Sequence, residues 1–326
     1  MSVQNYDHDL QRQHLRELEE EGEHDNLLPY LGTAELKEVA TLLKAVTAEF
    51  VGTCLLVLVG CGSCIGGDRT DSNQSIDDQA NIVRISLCFG ITVATLAQTL
   101  GHVSGCNINP AVTLGLVLGG KLGISKGLLY VAAQRGGALS GSLKLYAVVP
   151  SAARGAAGLG KTGLAPDVTF VQALTIEMLI TMVLVMVVFA AAADSANSSN
   201  VKGSAPLAIG LSITTCHLFA VPFTGSSMNP ARSLGPAVIL GEVEHLWVYW
   251  AGPLLGGIFG ALFYQVVLRS GAETSRRQRK RYPEEQAWRN RELRQHESNF
   301  GVLKEEPWAR RLDRDSSYPN SDIIRK

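Results

Sequence analysis

The stretch Ser226–Ser233, SSMNPARS, decides the fold together with its companion Asn107–Thr113, NINPAVT. Asparagine suits a helix N-cap because its side chain can accept from a free backbone N–H. Proline suits the first helical position, where its missing N–H has no partner to lose. Each copy therefore predicts a helix start, at Asn109–Pro110 and at Asn229–Pro230. Both starts fall among long apolar runs, such as FVGTCLLVLVGCGSCIG (50–66) and IEMLITMVLVMVVFAAAA (176–193). A helix that begins in the middle of apolar sequence calls for an explanation.

The chain has 326 residues and a formal charge of -1, with 46% hydrophobic and 18% charged residues. The average conceals a split. The first 35 or so residues and everything after Arg269 are rich in charge, and the apolar runs lie between them. A bilayer core takes about 20 apolar residues per helix, so the middle of the chain predicts an integral, multi-pass membrane protein. The polar start, MSVQNYDHDLQRQHLREL, reads as no cleavable signal peptide. The six cysteines lie in or beside apolar segments. Cys61 and Cys64 form a C-x-x-C, but no second pair and no His/Asp cluster accompanies them, so reduced thiols are expected rather than a metal site or a disulfide framework. No metal, cofactor or nucleic-acid partner is expected.

Six spans are predicted, at 41–66, 82–101, 124–149, 170–193, 205–222 and 246–269. The two Asn-Pro-Ala stretches follow the second and fifth, and each opens a short apolar helix, Pro110 to about Gly119 and Pro230 to about Leu240. Ten or eleven residues at about 1.5 Å each reach roughly 16 Å, about half of a hydrocarbon core some 30 Å thick. Two such half-helices entering from opposite faces would make a seventh span. The halves also repeat: AEFVGT precedes GCNINPAVTLG, and IEMLIT precedes GSSMNPARSLG. Three spans per half, an odd number, insert the second half upside down, and inverted repeats with broken helices at the midplane mark membrane transport folds.

The basic run 276–281, RRQRKR, follows the last span and predicts a cytoplasmic C-terminus; six spans then put the N-terminus on the same side. The segment 67–81 is expected to be an acidic external loop with a glycosylation candidate at Asn73. The basic run can hold anionic lipid headgroups or serve as a topology signal alone. Three domains are thus expected: a cytoplasmic tail 1–40, a membrane domain 41–269 with repeats at about 41–150 and 169–269, and a cytoplasmic tail 270–326.

The sequence resembles the aquaporin (major intrinsic protein) family from about Thr41 to Arg269. The likeness rests on SGCNINPAVTLG, TGSSMNPARSLGPAV, GSAPLAIGLSITTCHL, VATLAQTLGHVSG and WVYWAGPLLGG. It is closest in wording to water-selective animal members, including insect and brain-type water channels. The resemblance implies an all-α transmembrane fold: a right-handed bundle of six spanning helices plus two re-entrant half-helices, assembled as a homotetramer in the plasma membrane. It implies a passive water channel and not an enzyme, with water as permeant and the lipid bilayer as surroundings. Asn109, Pro110, Ala111, Asn229, Pro230 and Ala231 would then form the pore centre, where two positive helix ends and two amide groups meet the water file. Glu49 and Glu177 would support the re-entrant loops. Carbonyls of Gly105, Cys106, Asn107, Ile108, Gly225, Ser226, Ser227 and Met228 would line the vestibules. Phe89, His217, Ser226 and Arg232 would form the selectivity filter, with His217 and Arg232 donating hydrogen bonds. Glycerol-conducting relatives have a small residue in place of this histidine and aspartate after the arginine, whereas this chain has His217 and Ser233.

Two positions depart from the family pattern. Asn107 stands where histidine is usual, and Arg135 stands near the middle of the third span where an uncharged residue is usual. An intramembrane arginine needs a partner or an oligomer contact. The readings set against a water channel are a broader channel for glycerol, urea or peroxide, an alternating-access transporter, and a structural or adhesive membrane protein of low conductance.

Overall fold

The computed structural model describes residues 38–65, 74–151, 153, 158–193 and 204–269. The tails, the sequon at Asn73 and the basic run 276–281 lie outside them. The helices in order are α1 (Val39–Leu56), α2 (Gln74–Ser104), α3 (Pro110–Leu118), α4 (Ile124–Val148), α5 (Phe170–Val188), α6 (Ala205–Thr224), α7 (Pro230–Leu240) and α8 (Val248–Phe263). A π-helical turn extends α1 through Val57–Cys61, α5 through Phe189–Ala193 and α8 through Tyr264–Leu268. The fold is all-helical among the described residues, in agreement with the expected bundle.

Five helical segments are long and apolar enough to cross a membrane: Val39–Cys61, Gln79–Ser104, Phe170–Ala193, Ala205–Thr224 and Val248–Leu268. The remaining expected span, α4, has the length, at 25 residues, but not the hydropathy. Lys126, Arg135 and Lys144, with several glycines and serines, dilute it. It still packs along α1 in the same bundle. A second difference concerns the expected external loop 67–81. Residues 74–81 are already helical, because α2 runs eight residues ahead of the predicted span, through QSIDDQAN. Gln and Ala favour helix, and nothing in that stretch breaks it before the apolar part begins.

Packing follows the repeat. α1 pairs with α4 and α5 pairs with α8, while α2 and α6 cross each other. Each half-helix leans on the other repeat: α3 packs on α8, and α7 packs on α4. Small residues permit these approaches. A Cβ on Gly137 would strike the Phe50 carbonyl on α1 and come within 3.1 Å of the Cys54 nitrogen. A Cβ on Gly256 would strike the Met178 carbonyl on α5, and Gly90 faces the Gly210 carbonyl at the α2–α6 crossing. Gly257 meets the Ala111 carbonyl, which brings α8 against the start of α3. The outer surface is apolar: Leu43, Ile91, Leu128, Val171, Leu207 and Val266 are all more than half exposed. A water-soluble monomer rarely shows so much apolar surface, whereas a membrane-embedded bundle presents it to lipid.

Gly137→Leu should prevent α4 from seating on α1, with a loss of at least about 1–3 kcal/mol from overpacking and a collapse of the monodisperse fraction after extraction. Gly101→Ala is the control. A Cβ there meets no atom within 4 Å, and alanine favours helix by roughly 0.5–1 kcal/mol, so the yield of folded protein should hold or rise.

Candidate functional site

α3 and α7 begin deep inside the bundle. Asn109 caps α3: its side-chain oxygen accepts from the Ala111 N–H at 2.8 Å. Asn229 caps α7 in the same way, accepting from Ala231 at 3.0 Å and Arg232 at 3.3 Å. Pro110 and Pro230 hold the first helical position of each. The side-chain nitrogens cross over. Asn109 Nδ2 donates to the Met228 carbonyl at 2.9 Å, and Asn229 Nδ2 donates to the Ile108 carbonyl at 2.8 Å. The two helix starts are thereby bonded to each other's entering loops. At about 1.5 Å per residue, nine residues of α3 and eleven of α7 together span about 30 Å, a full hydrocarbon core.

The entering loops are strained. Cys106 (φ 51), Ile108 (φ 43), Ser226 (φ 50) and Met228 (φ 53) all occupy the left-handed region that non-glycine residues rarely adopt. Two buried carboxylates hold them. Glu49 accepts from the Asn107 N–H at 2.9 Å and the Ile108 N–H at 2.7 Å. It also accepts from the Ser104 hydroxyl at 2.7 Å and Gln134 Nε2 at 2.8 Å. Glu177 accepts from the Ser227 and Met228 N–H groups, both at 2.9 Å, and from the Thr224 hydroxyl at 2.7 Å. Both glutamates have 0% exposure. A buried carboxylate is costly unless it is saturated with donors, and these two are.

The sequence reading missed a second ring of paired supports. Tyr130 donates to the Ser104 carbonyl at 2.8 Å, and Tyr249 donates to the Thr224 carbonyl at 2.9 Å. Gln134 bridges Glu49 to the Thr113 hydroxyl, which also takes Asn107 Nδ2 at 3.3 Å. In the other half Ser227 and Ser233 share a hydroxyl bond of 2.6 Å, extended to Thr162 at 2.9 Å. The signal was available: Ser104 and Thr224, like Thr113 and Ser233, stand 120 residues apart, as do Asn109 and Asn229.

A cavity of about 390 Å³ runs past these groups. Its walls include Leu116, Lys121, Lys126 and Ala193, then Asn109 and Asn229, then Phe89, His217 and Arg232. Gly105, Cys106, Asn107, Ile108, Ser227 and Met228 also line it, whereas Gly225 and Ser226 are not among its lining residues. Ser226 is fully buried, and its hydroxyl meets no partner among the described residues. Phe89, His217 and Arg232 do come together. The Phe89 and His217 rings stack at 4.7 Å, and the Arg232 guanidinium carbon lies 4.9 Å from the Phe89 centroid. Arg232 Nη1 donates to the Gly160 carbonyl at 2.6 Å, and Nη2 points at Cys64 Sγ, 4.0 Å away. Gly160 itself needs to be glycine: its φ is 67, and a Cβ there would lie 2.6 Å from the Cys61 carbonyl oxygen.

His217 Nδ1 lies 3.0 Å from the Ile213 carbonyl, which can only accept, so Nδ1 carries the proton. In the neutral ring Nε2 is then an acceptor, not the donor expected from the sequence. His217 Nε2 and Arg232 Nε are both buried without a protein partner among the described residues. His217 and Arg232 both line the cavity, so its wall holds one acceptor and one donor without a protein partner, a pairing suited to a small molecule that both gives and takes hydrogen bonds.

The family description "Major intrinsic protein" matches residues 35–264. Human Aquaporin-4 is 44% identical over 234 residues, covering 72% of this chain and 70% of that protein. The lens fiber major intrinsic protein of Lithobates pipiens is 41% identical over 225 residues, covering 69% of this chain and 81% of that one. Among solved structures, the aquaglyceroporin from Plasmodium falciparum superposes with a TM-score of 0.59 at 22% identity, covering 70% of this chain and 97% of that chain. That last likeness is one of fold.

Glu177→Gln and Glu49→Gln place an amide NH₂ where a backbone N–H now finds an oxygen. Each should lower the stability of the purified protein by roughly 1–3 kcal/mol, whereas Tyr249→Phe should cost only about 1 kcal/mol. Thermal unfolding followed by size-exclusion chromatography reads the order, and equal melting of all three variants would contradict this bonding scheme.

Proposed function

The chain belongs to the major intrinsic protein (aquaporin) family of membrane channels, and on that premise we propose that it conducts water passively and selectively along osmotic gradients. The reading rests chiefly on one observation, the reciprocal bonds from Asn109 to the Met228 carbonyl and from Asn229 to the Ile108 carbonyl beside a single cavity that both asparagines line. Each helix start carries roughly half a positive elementary charge. Two of them at one waist repel cations, while each asparagine keeps a second N–H for a passing water oxygen. A water that accepts there is turned away from the file, and the positive waist opposes proton transfer.

In this proposal Phe89, His217 and Arg232 form the selectivity filter. Phe89 closes one wall, Arg232 donates and repels cations, and His217 accepts. Water satisfies a donor and an acceptor placed close together, and a carbon skeleton satisfies neither. Ser226 contributes small size, and carbonyls of residues 105–108 and 227–228 replace bulk hydration on the approach. The bulk of His217, and Ser233 after the arginine, favour water over glycerol. We further propose a homotetramer in the plasma membrane, with a channel domain 41–269 between cytoplasmic tails. The basic flank at 276–281 supports that orientation and offers charge to anionic lipid. Asn73 is the proposed glycosylation site on the opposite side.

Proteoliposomes subjected in parallel to sucrose and glycerol gradients test the reading. Wild type should pass water rapidly and glycerol at the background rate of protein-free vesicles. His217→Ala combined with Arg232→Val should pass glycerol severalfold faster. No gain in glycerol flux by a folded double variant would show that the filter lies elsewhere.

A further inference from the structure

Arg135 takes no part in the site above. It is the twelfth of the 25 residues of α4, and its side chain is exposed on the outer surface of the bundle. It belongs to an outward stripe of Leu128, Ala132, Arg135, Leu143 and Tyr146 that is otherwise apolar or aromatic. A guanidinium left alone in hydrocarbon is costly, and Arg135 has no hydrogen bond or carboxylate partner among the described residues. Its contact is the Trp250 ring, 5.9 Å from Cζ to centroid.

Trp250 is the third residue of α8, and Trp247, half exposed, precedes that helix. Indoles at the ends of spanning helices sit at headgroup level. The Arg135 side chain therefore carries its charge from mid-helix to the depth of the first turn of α8. A second protein copy is a poor source of the missing anion. Within the five apolar spans a second copy could bring only Glu49 or Glu177, and both are buried and saturated; a loop carboxylate such as its Glu244 is the outcome that the oligomeric-state readout below tests. A planar fork of five unanswered N–H donors, backed by an indole face at headgroup depth, matches a phosphate.

We propose that Arg135 and Trp250 form a binding site for the phosphate of an anionic phospholipid. Phosphatidylcholine carries its own cation beside the phosphate and competes less well for the guanidinium. Full-length protein in neutral detergent, titrated with phosphatidylglycerol or phosphatidylcholine and read by native mass spectrometry, tests the site. Wild type should retain phosphatidylglycerol in preference to phosphatidylcholine. Arg135→Gln and Trp250→Leu should each weaken phosphatidylglycerol retention, the former about tenfold, with Arg135→Lys in between. Water flux through Arg135→Gln should match wild type, which confirms that the variant is folded; should it fail to fold, Trp250→Leu carries the comparison. Equal phosphatidylglycerol retention by wild type and a folded variant overturns the proposal. So does a variant that changes oligomeric state while its lipid retention stays the same, since a neighbouring copy would then be the true occupant.

Discussion

Glu49 and Glu177 each hold two consecutive backbone N–H groups of a loop that enters the bundle without secondary structure. Such loops are tolerated at membrane depth only when their polar groups are answered by protein or by a water-lined cavity. Left-handed backbone at Cys106, Ile108, Ser226 and Met228 adds strain on the order of 1–3 kcal/mol at each residue. A carboxylate with three or four donors is strong enough to hold that geometry. With the loops fixed, the carbonyls of Ile108 and Met228 are aimed across the centre, and Asn109 and Asn229 have acceptors to reach. The positions of both half-helices, and so the waist of the cavity, follow from this pair of buried acids.

The arrangement resolves a conflict. Two positive helix ends brought together repel one another, yet here they are tied by hydrogen bonds that each asparagine makes with nitrogen while its oxygen caps its own helix. The two functions use different atoms, so neither is sacrificed. Further along the cavity, Arg232 is only 2% exposed and has no carboxylate ion pair among the described residues. Its charge is held by the Gly160 carbonyl and the Phe89 face. On the proposed reading that charge stays available to repel cations instead of being cancelled by an anion.

Much of this was legible in the sequence because the features obey local rules. Asn-Pro starts a helix wherever it falls, so both half-helices emerged with the expected ends, and α7 ends at Leu240 as predicted. The buried glutamates stood out because apolar spans do not carry carboxylates without cause. Other features depend on partners distant in sequence and left no local trace. Gly160 meets Arg232 across 72 positions, and Tyr249 reaches Thr224 from another helix. In the neutral His217 ring Nε2 is an acceptor because the Ile213 carbonyl, one turn away, accepts the hydrogen bond from Nδ1–H. Residues 74–81 were assigned to a loop on charge alone, although helix tolerates charge where it leaves the membrane. For α4, three basic residues lowered the apolar signal, and its packing on α1 and α7 places it in the bundle.

The central claim is that the paired helix ends let water through while opposing charge. Its most direct test is osmotic shrinkage of proteoliposomes carrying a trapped pH-sensitive dye, with a proton gradient and a membrane potential imposed together. The account predicts fast shrinkage with dye signal no different from protein-free vesicles. A proton or cation leak that rises in step with water flux would contradict it.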